Sequence, residues 1–320
     1  MGCQHSKANF TSFGRADDEA VPALEEAMKN MTPPESLEEL KVFGEGLQTG
    51  DILLMHCTHT FGKLAQLMTY NVWDHVAMIV RLDDDSDITQ KRIALIQAKP
   101  QPKSSTLDWP LPGSPGYGNV EVFEAMGGGV FSYPFVEHAI ARGKFCKYTC
   151  VRRLRDAQGQ PLSSDRRAKI EQFVQDMWGR PYEDSGVAGM SELARPIVKG
   201  APNKSKKANK DQEALDRLFC SELIAEAYQR AGLLPEESLN SNDILPAHFA
   251  PEQCIDTYLK AETHGYTLSD VEIFKGPTTK LTKVINDRRE ELRANNDDAD
   301  PALQEQPLQK TDSEQGLKPQ

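Results

Sequence analysis

Apolar residues recur along this chain with two different spacings, and together they outline a domain of mixed helices and strands. In DRRAKIEQFVQDMWG, residues Ile170, Phe173, Val174 and Met177 follow the three-and-four spacing of one helical face, and Gly179 closes the segment. FCSELIAEAYQRAG repeats the pattern through Leu223, Ile224, Ala227, Tyr228 and Ala231 and stops at Gly232. THTFGKLAQLMTY predicts a third helix on Phe61, Leu64, Leu67 and Met68, and PFVEHAIARG a fourth, closed by Gly143. Upstream, SLEELKVF opens with Ser36 and Glu39 at the spacing of a capping box. The shorter runs GDILLMH, HVAMIVRL, RIALIQA, VEVFEAM and FCKYTCVRRL predict strands, the first entered through Gly50. DDDSDITQK suits a hairpin between HVAMIVRL and RIALIQA, and the Pro/Gly-rich KPQPKSSTLDWPLPGSPGYGN separates RIALIQA from VEVFEAM. The expected architecture is α+β, a small and mostly antiparallel sheet packed against helices, one of which begins at Cys220.

Three regions follow from this pattern. Residues 1–44 form a lead-in, 45–285 hold the folded domain, and the polar residues 286–320 predict an unstructured tail. Of the 320 residues, 27% are charged and 38% hydrophobic, which fits a globular domain with polar segments beside it. The longest apolar runs fall far short of the roughly 18 residues that cross a bilayer, and no apolar signal-peptide core follows the start. Six cysteines, Cys3, Cys57, Cys146, Cys150, Cys220 and Cys254, form no CxxC pair and read as thiols in a reducing compartment. A net charge of −11 argues against nucleic-acid binding, which needs a basic surface to displace counterions. Locally, KGAPNKSKKANK reads either as a solvated loop or as a patch for anionic lipid headgroups.

The first residues, MGCQHSKANF, change that picture of a plain globular chain. With Met1 removed, Gly2 would be N-terminal and Ser6 would sit where myristoyl transfer favours Ser or Thr. One such chain holds a protein to a bilayer only weakly, and Cys3 is placed for a second, palmitoyl, chain. The expectation is a protein on the cytosolic face of a membrane, the plasma membrane for choice, in a eukaryotic cell, with no transmembrane helix.

Chemistry centres on Cys220. At the start of a helix, the unsatisfied N–H groups and the positive end of the dipole stabilise a thiolate and can hold an oxyanion. A thiolate nucleophile wants an imidazole, and His75, which opens the strand HVAMIV, is the best placed of the seven histidines. His5, His56, His59, His138, His248 and His264 lie in less ordered or less apolar surroundings. A third group should orient the imidazole, and Glu124 in VEVFEAM is the choice, on the face opposite Phe123. Gln97 in RIALIQA is the alternative. HCTH, with His56 and His59 about Cys57, invites a metal, but no second ligand pair stands at zinc spacing, so neither metal nor cofactor is expected.

Taken in order, GDILL (50–54), LMTYNVWDHVAMIV (67–80), VFEAMGGGV (122–130), WGRPYE (178–183), FCSELIAEAY (219–228) and ILPAHF (244–249) resemble the circularly permuted papain-like amidases and cysteine peptidases of the YiiX type, in the NlpC-like superfamily. That superfamily also holds the lecithin:retinol acyltransferase-like enzymes. The histidine strand precedes the cysteine helix, as the permuted branch requires. The resemblance implies a permuted papain-like fold, a Cys220/His75 pair that attacks an amide or ester through a thioester, and Glu124 as third polar residue. Tyr182 matches a tyrosine of the family near the site, or is a packing aromatic at a helix end. The implied function is a membrane-anchored cysteine hydrolase. A lipid acyltransferase or deacylase and a tethered binding module without turnover are the alternatives.

Overall fold

The computed structural model describes residues 33–57, 72–82, 119–126, 129–143, 145–180, 220–262 and 265–274, together with residues 26, 28, 283 and 287. All of the architecture below lies in the unit ending at Thr278. The elements in chain order are α1 (Leu37–Glu45), β1 (Ile52–Cys57), β2 (His75–Arg81), β3 (Val120–Met126), β4 (Gly129–Pro134), α2 (Phe135–Gly143), β5 (Cys146–Arg152), β6 (Leu154–Arg155), α3 (Ser164–Met177), α4 (Cys220–Arg230), α5 (Cys254–Glu262), β7 (Thr267–Leu268) and β8 (Glu272–Phe274). Six strands form one sheet in the order β4-β3-β2-β1-β5-β8, every neighbouring pair antiparallel, and β6 pairs with β7 apart from it. The protein is α+β.

Strand alternation divides the sheet into two apolar faces. Ile52, Leu54, Val76, Met78, Val80, Phe123 and Ala125 join Phe173, Val174, Leu223, Ile224 and Tyr228 in the main core, so α3 and α4 cover this face. The other face is covered by α2, which α1 backs through stacking of Phe43 on Phe135. Strands buried on both faces read as near-continuous apolar runs rather than clean alternation, which is why HVAMIV looks the way it does. Removing a side chain such as Leu223 or Ile224 from water contributes roughly 1.5–3 kcal/mol each, so α4 is fixed mainly by its own apolar stripe.

The local signals behave as their chemistry requires. Ser36 caps α1 by accepting the Glu39 N–H at 3.2 Å, and Glu39 reaches back to the Glu35 N–H rather than to that of Ser36. Gly50 enters β1 at φ 94°, and a Cβ there would lie 2.9 Å from Leu162 Cδ1, so only glycine fits the turn. At the end of α4, Gly232 takes φ 68° and the Leu233 N–H returns to the Tyr228 carbonyl at 2.8 Å.

Two sequence readings need adjustment. No strand was expected directly after VEVFEAM, yet β4 follows it and pairs along its whole length, from Glu121↔Pro134 to Met126↔Gly129. Expected to pair with β2 by a hairpin, 92–98 lies outside the described residues, and β2 carries β1 on one edge and β3 on the other. The helix expected over 58–70, the lysine-rich loop at 199–210 and the tail at 286–320 (Asp287 apart) also lie outside the described residues. Among the described residues, no helix is long and apolar enough to cross a membrane.

Candidate active site

Cys220 is the first residue of α4, and the helix is pinned on several sides. Its Ser221 hydroxyl donates to the Ile244 carbonyl at 2.6 Å. Farther along, the Tyr228 hydroxyl donates to the Gly50 carbonyl at 2.6 Å, and Gln229 donates to the carbonyls of Pro235 and Leu239. The Cys220 thiol is 7% exposed, meets the His75 imidazole, and accepts the backbone N–H groups of Val76 and Ser221.

His75 stands at the first position of β2, opposite Met55 of β1. The turn before it is held twice over, since the Asp74 N–H donates to the Met55 carbonyl and the Asp74 carboxylate accepts the Cys57 N–H. The His75 Nε2 lies 2.8 Å from Glu124 Oε2, which leaves Nδ1 for the sulfur. Glu124 comes from β3 and is fully buried on the face opposite Phe123. Its second oxygen, Oε1, lies 3.0 Å from His138 Nε2, and Arg142 Nη2 donates to Oε2 at 2.6 Å. The same Nη2 stands 3.0 Å from His75 Nε2.

Sequence reasoning missed His138 and Arg142 as members of this cluster. They lie one turn apart on α2, and that helix carries its remaining polar charge, Glu137, on a different side. A histidine and an arginine four residues apart in an otherwise apolar helical stripe are the signal that could have found them. His138 was expected in less ordered or less apolar surroundings, whereas it is 1% exposed and hydrogen-bonded.

The electrostatics follow from this geometry. Burial alone would push the Cys220 thiol up, but the imidazolium beside it and the two backbone N–H groups outweigh that cost and hold the thiol below its ordinary value. His75 is driven the other way: burial opposes its charge, yet the thiolate and Glu124 carry it up to about 10 despite the repelling Arg142. Both shifts favour the ion pair, with the proton on the imidazole and the charge on the sulfur. Burial would raise Glu124, but Arg142 and His138 keep its carboxyl well below the usual range. His138 is lowered by burial and stays neutral, and Arg142 is raised and stays charged. Thiolate, imidazolium, carboxylate and guanidinium thus alternate in sign and cancel in a largely buried site, the condition under which buried charge is tolerated.

Of the other residues singled out in the sequence, Gln97, Tyr182, Gly2 and Cys3 lie outside the described residues. His56 Nδ1 donates to the Val72 carbonyl at 2.7 Å, and Cys57 Sγ faces Cys146 Sγ at 3.2 Å; His59 lies outside the described residues. Among the described residues, no three His, Cys, Asp or Glu side chains are grouped to hold a metal ion.

Comparison with known proteins adds little to this site. No family model matches the chain, and no curated protein matches it. Among solved structures, the metalloprotein yiiX from Escherichia coli O157:H7 is similar over 71% of this chain and 98% of its own, with 17% identity and a TM-score of 0.35.

Proposed function

We propose that the chain is a cysteine hydrolase that cleaves an amide or ester through a thioester on Cys220. One observation carries the proposal: the Cys220 thiol at a helix N-terminus meets the His75 imidazole, whose Nε2 lies 2.8 Å from the buried Glu124 carboxylate. The Cys220 thiolate attacks the carbonyl carbon, and the N–H groups of the first turn of α4 face the oxyanion that forms. His75 gives its proton to the departing amine or alcohol, leaving the acyl group on sulfur. It then takes a proton from water, which attacks the thioester and releases the carboxylic acid and the Cys220 thiolate. Glu124 keeps the imidazole oriented and stabilises its charge, and Arg142 and His138 keep Glu124 ionised.

Order along the chain, His75 before Cys220, and the motifs around both support a permuted papain-like, NlpC-like member of the YiiX type. Gly2, Cys3 and Ser6 support a doubly acylated anchor on the cytosolic face of a membrane, which favours lipid-linked or membrane-protein substrates. On that reading Gly2→Ala protein leaves the membrane fraction, and its retention there would exclude the anchor. A transferase acting on lipid acyl chains would use the same thioester with an acceptor other than water. The decisive experiment traps the acyl-enzyme from a lysate or membrane extract on Cys220 and identifies the acyl group by mass spectrometry. A modified Cys220 peptide in wild-type but not His75→Ala protein supports the hydrolase; equal or absent modification in both rejects it.

A further inference from the structure

We propose that Cys57 and Cys146 are a redox-active dithiol, closed to a disulfide by hydroperoxides, whose closure is transmitted to His75. The two cysteines face each other across β1 and β5, where the ladder is irregular between His56 and Cys57, with their sulfurs 3.2 Å apart. Antiparallel neighbours hold their Cα atoms about 4.5–5.5 Å apart, inside the span of about 4.4–6.8 Å that disulfides occupy. The bond therefore needs the sulfurs to close up without any strand moving to a new register.

The surroundings suit the chemistry. Cys57 is buried, whereas Cys146 is partly exposed and lines a cavity of about 210 Å³ together with Arg142, His138, Lys147 and Phe274. A small peroxide can reach Cys146 by that route. The Cys57 thiol, as hydrogen-bond partner, lowers the Cys146 thiol; burial works against this and Arg142 works with it. Cys150, four residues on along the same strand, is pushed up to about 12 by burial alone and is inert by comparison.

The steps balance. Cys146 thiolate attacks the terminal oxygen of the hydroperoxide; the O–O bond breaks, an alcohol or water leaves, and Cys146 becomes a sulfenic acid. The Cys57 sulfur then displaces that hydroxyl, the S–S bond forms, and water departs with the second thiol proton. Two electrons pass from the two sulfurs to the peroxide, and a dithiol reductant reverses the bond.

Transmission runs through the backbone. The Cys57 N–H is held by the Asp74 carboxylate at 3.0 and 3.1 Å, and Asp74 is joined directly to His75. On the other side, Cys146 acts electrostatically on Arg142, whose Nη2 lies 3.0 Å from His75 Nε2. Drawing the sulfurs together moves Cys57 and converts the Cys146 thiol near Arg142 into a disulfide sulfur that cannot ionise, so both routes reach the same imidazole. The bond itself is independent of the hydrolase reading, and its value as a control of Cys220 rests on that reading.

The test uses full-length Cys220→Ser protein, which removes the competing thiolate and any turnover. After hydrogen peroxide treatment, peptide mapping without reductant is expected to show the Cys57 and Cys146 peptides joined with the loss of two hydrogens, and separate again after dithiothreitol. In the same sample, the His75 ring resonances, assigned by their absence from Cys220→Ser/His75→Asn protein, are expected to shift on oxidation and return on reduction. Cys146→Ser in the same background should show neither change. If both thiols still alkylate fully in the oxidised protein after unfolding, or either pairs with a different cysteine, the dithiol is overturned. If the bond forms and the His75 resonances stay put, the transmission is overturned. Neither outcome bears on whether Cys220 turns over substrate.

Discussion

Glu124 is the residue on which the site's charges balance. One fully buried carboxylate takes His75 and Arg142 on Oε2 and His138 on Oε1. Glu124→Gln keeps the shape and removes the charge, which leaves the Arg142 guanidinium buried without its counter-ion. Breaking a buried pair from one side costs about 3–5 kcal/mol, so the urea unfolding midpoint should fall accordingly. Stability unchanged within about 0.5 kcal/mol would show that Glu124 does not carry the charge assigned to it. Loss of the carboxylate also removes one support of the His75 imidazolium, so Cys220 should alkylate more slowly in this variant.

At the level of elements, α4 presents Cys220 and α2 supplies the groups behind Glu124. The far end of α4 is tied to the entry of β1 by the Tyr228 hydroxyl and the Gly50 carbonyl, both buried. Tyr228→Phe leaves that carbonyl without its donor and should cost about 1–3 kcal/mol in urea unfolding, with Cys220 alkylation unchanged because the tie lies more than two helical turns from the sulfur. A slower Cys220 in that variant would mean that the whole helix, not its first turn, sets the thiol. Much of this arrangement was legible in the sequence. The helices α2, α3 and α4 and the strands β1, β2, β3 and β5 each carry their own period and stop signals, and Cys220, His75 and Glu124 sit at the ends or faces those signals define. The inward face of α2 was not legible, because periodicity shows that His138 and Arg142 share a side but not that Glu124 lies across from it. Strand β4 was hidden for a related reason: GVFSYP carries no clean alternation of its own, and its strand character is settled by pairing with β3.

Across the whole molecule, the buried titrating groups dictate how stability depends on pH. Unfolded near neutrality, His75 is neutral and Cys220 is a thiol; folded, the same single proton sits on His75, so the pair exchanges none with solvent over that range. His138 and His248 are both lowered, the latter to about 4, because burial penalises their charged forms. Unfolded histidine takes up a proton below 6.5, so folding stability is lost as pH falls below that value. Glu124, held low in the fold, adds a further loss below its unfolded value of 4.5, while Asp51, which burial raises, offsets part of it. On the alkaline side, the unfolded Cys220 gives up its proton near 9 while folded His75 keeps its own to about 10, so stability declines there too. Unfolding midpoints should therefore be flat around pH 7–8 and lower at about pH 5.5. A midpoint that rises on acidification to that point would contradict the assignment of His138 and His248 as buried neutral groups.

The central claim, that His75 holds Cys220 as a thiolate nucleophile, is tested most directly by the pH profile of Cys220 alkylation with iodoacetamide, read by peptide mass spectrometry. In the wild-type protein the rate should reach half its plateau below about pH 8.5, the value at which an ordinary cysteine is half ionised. His75→Ala should slow it by about tenfold or more at the same pH, since one unit of pKa is a factor of ten in thiolate. Equal rates in the two proteins, or a wild-type profile that rises only above about pH 8.5, would contradict it.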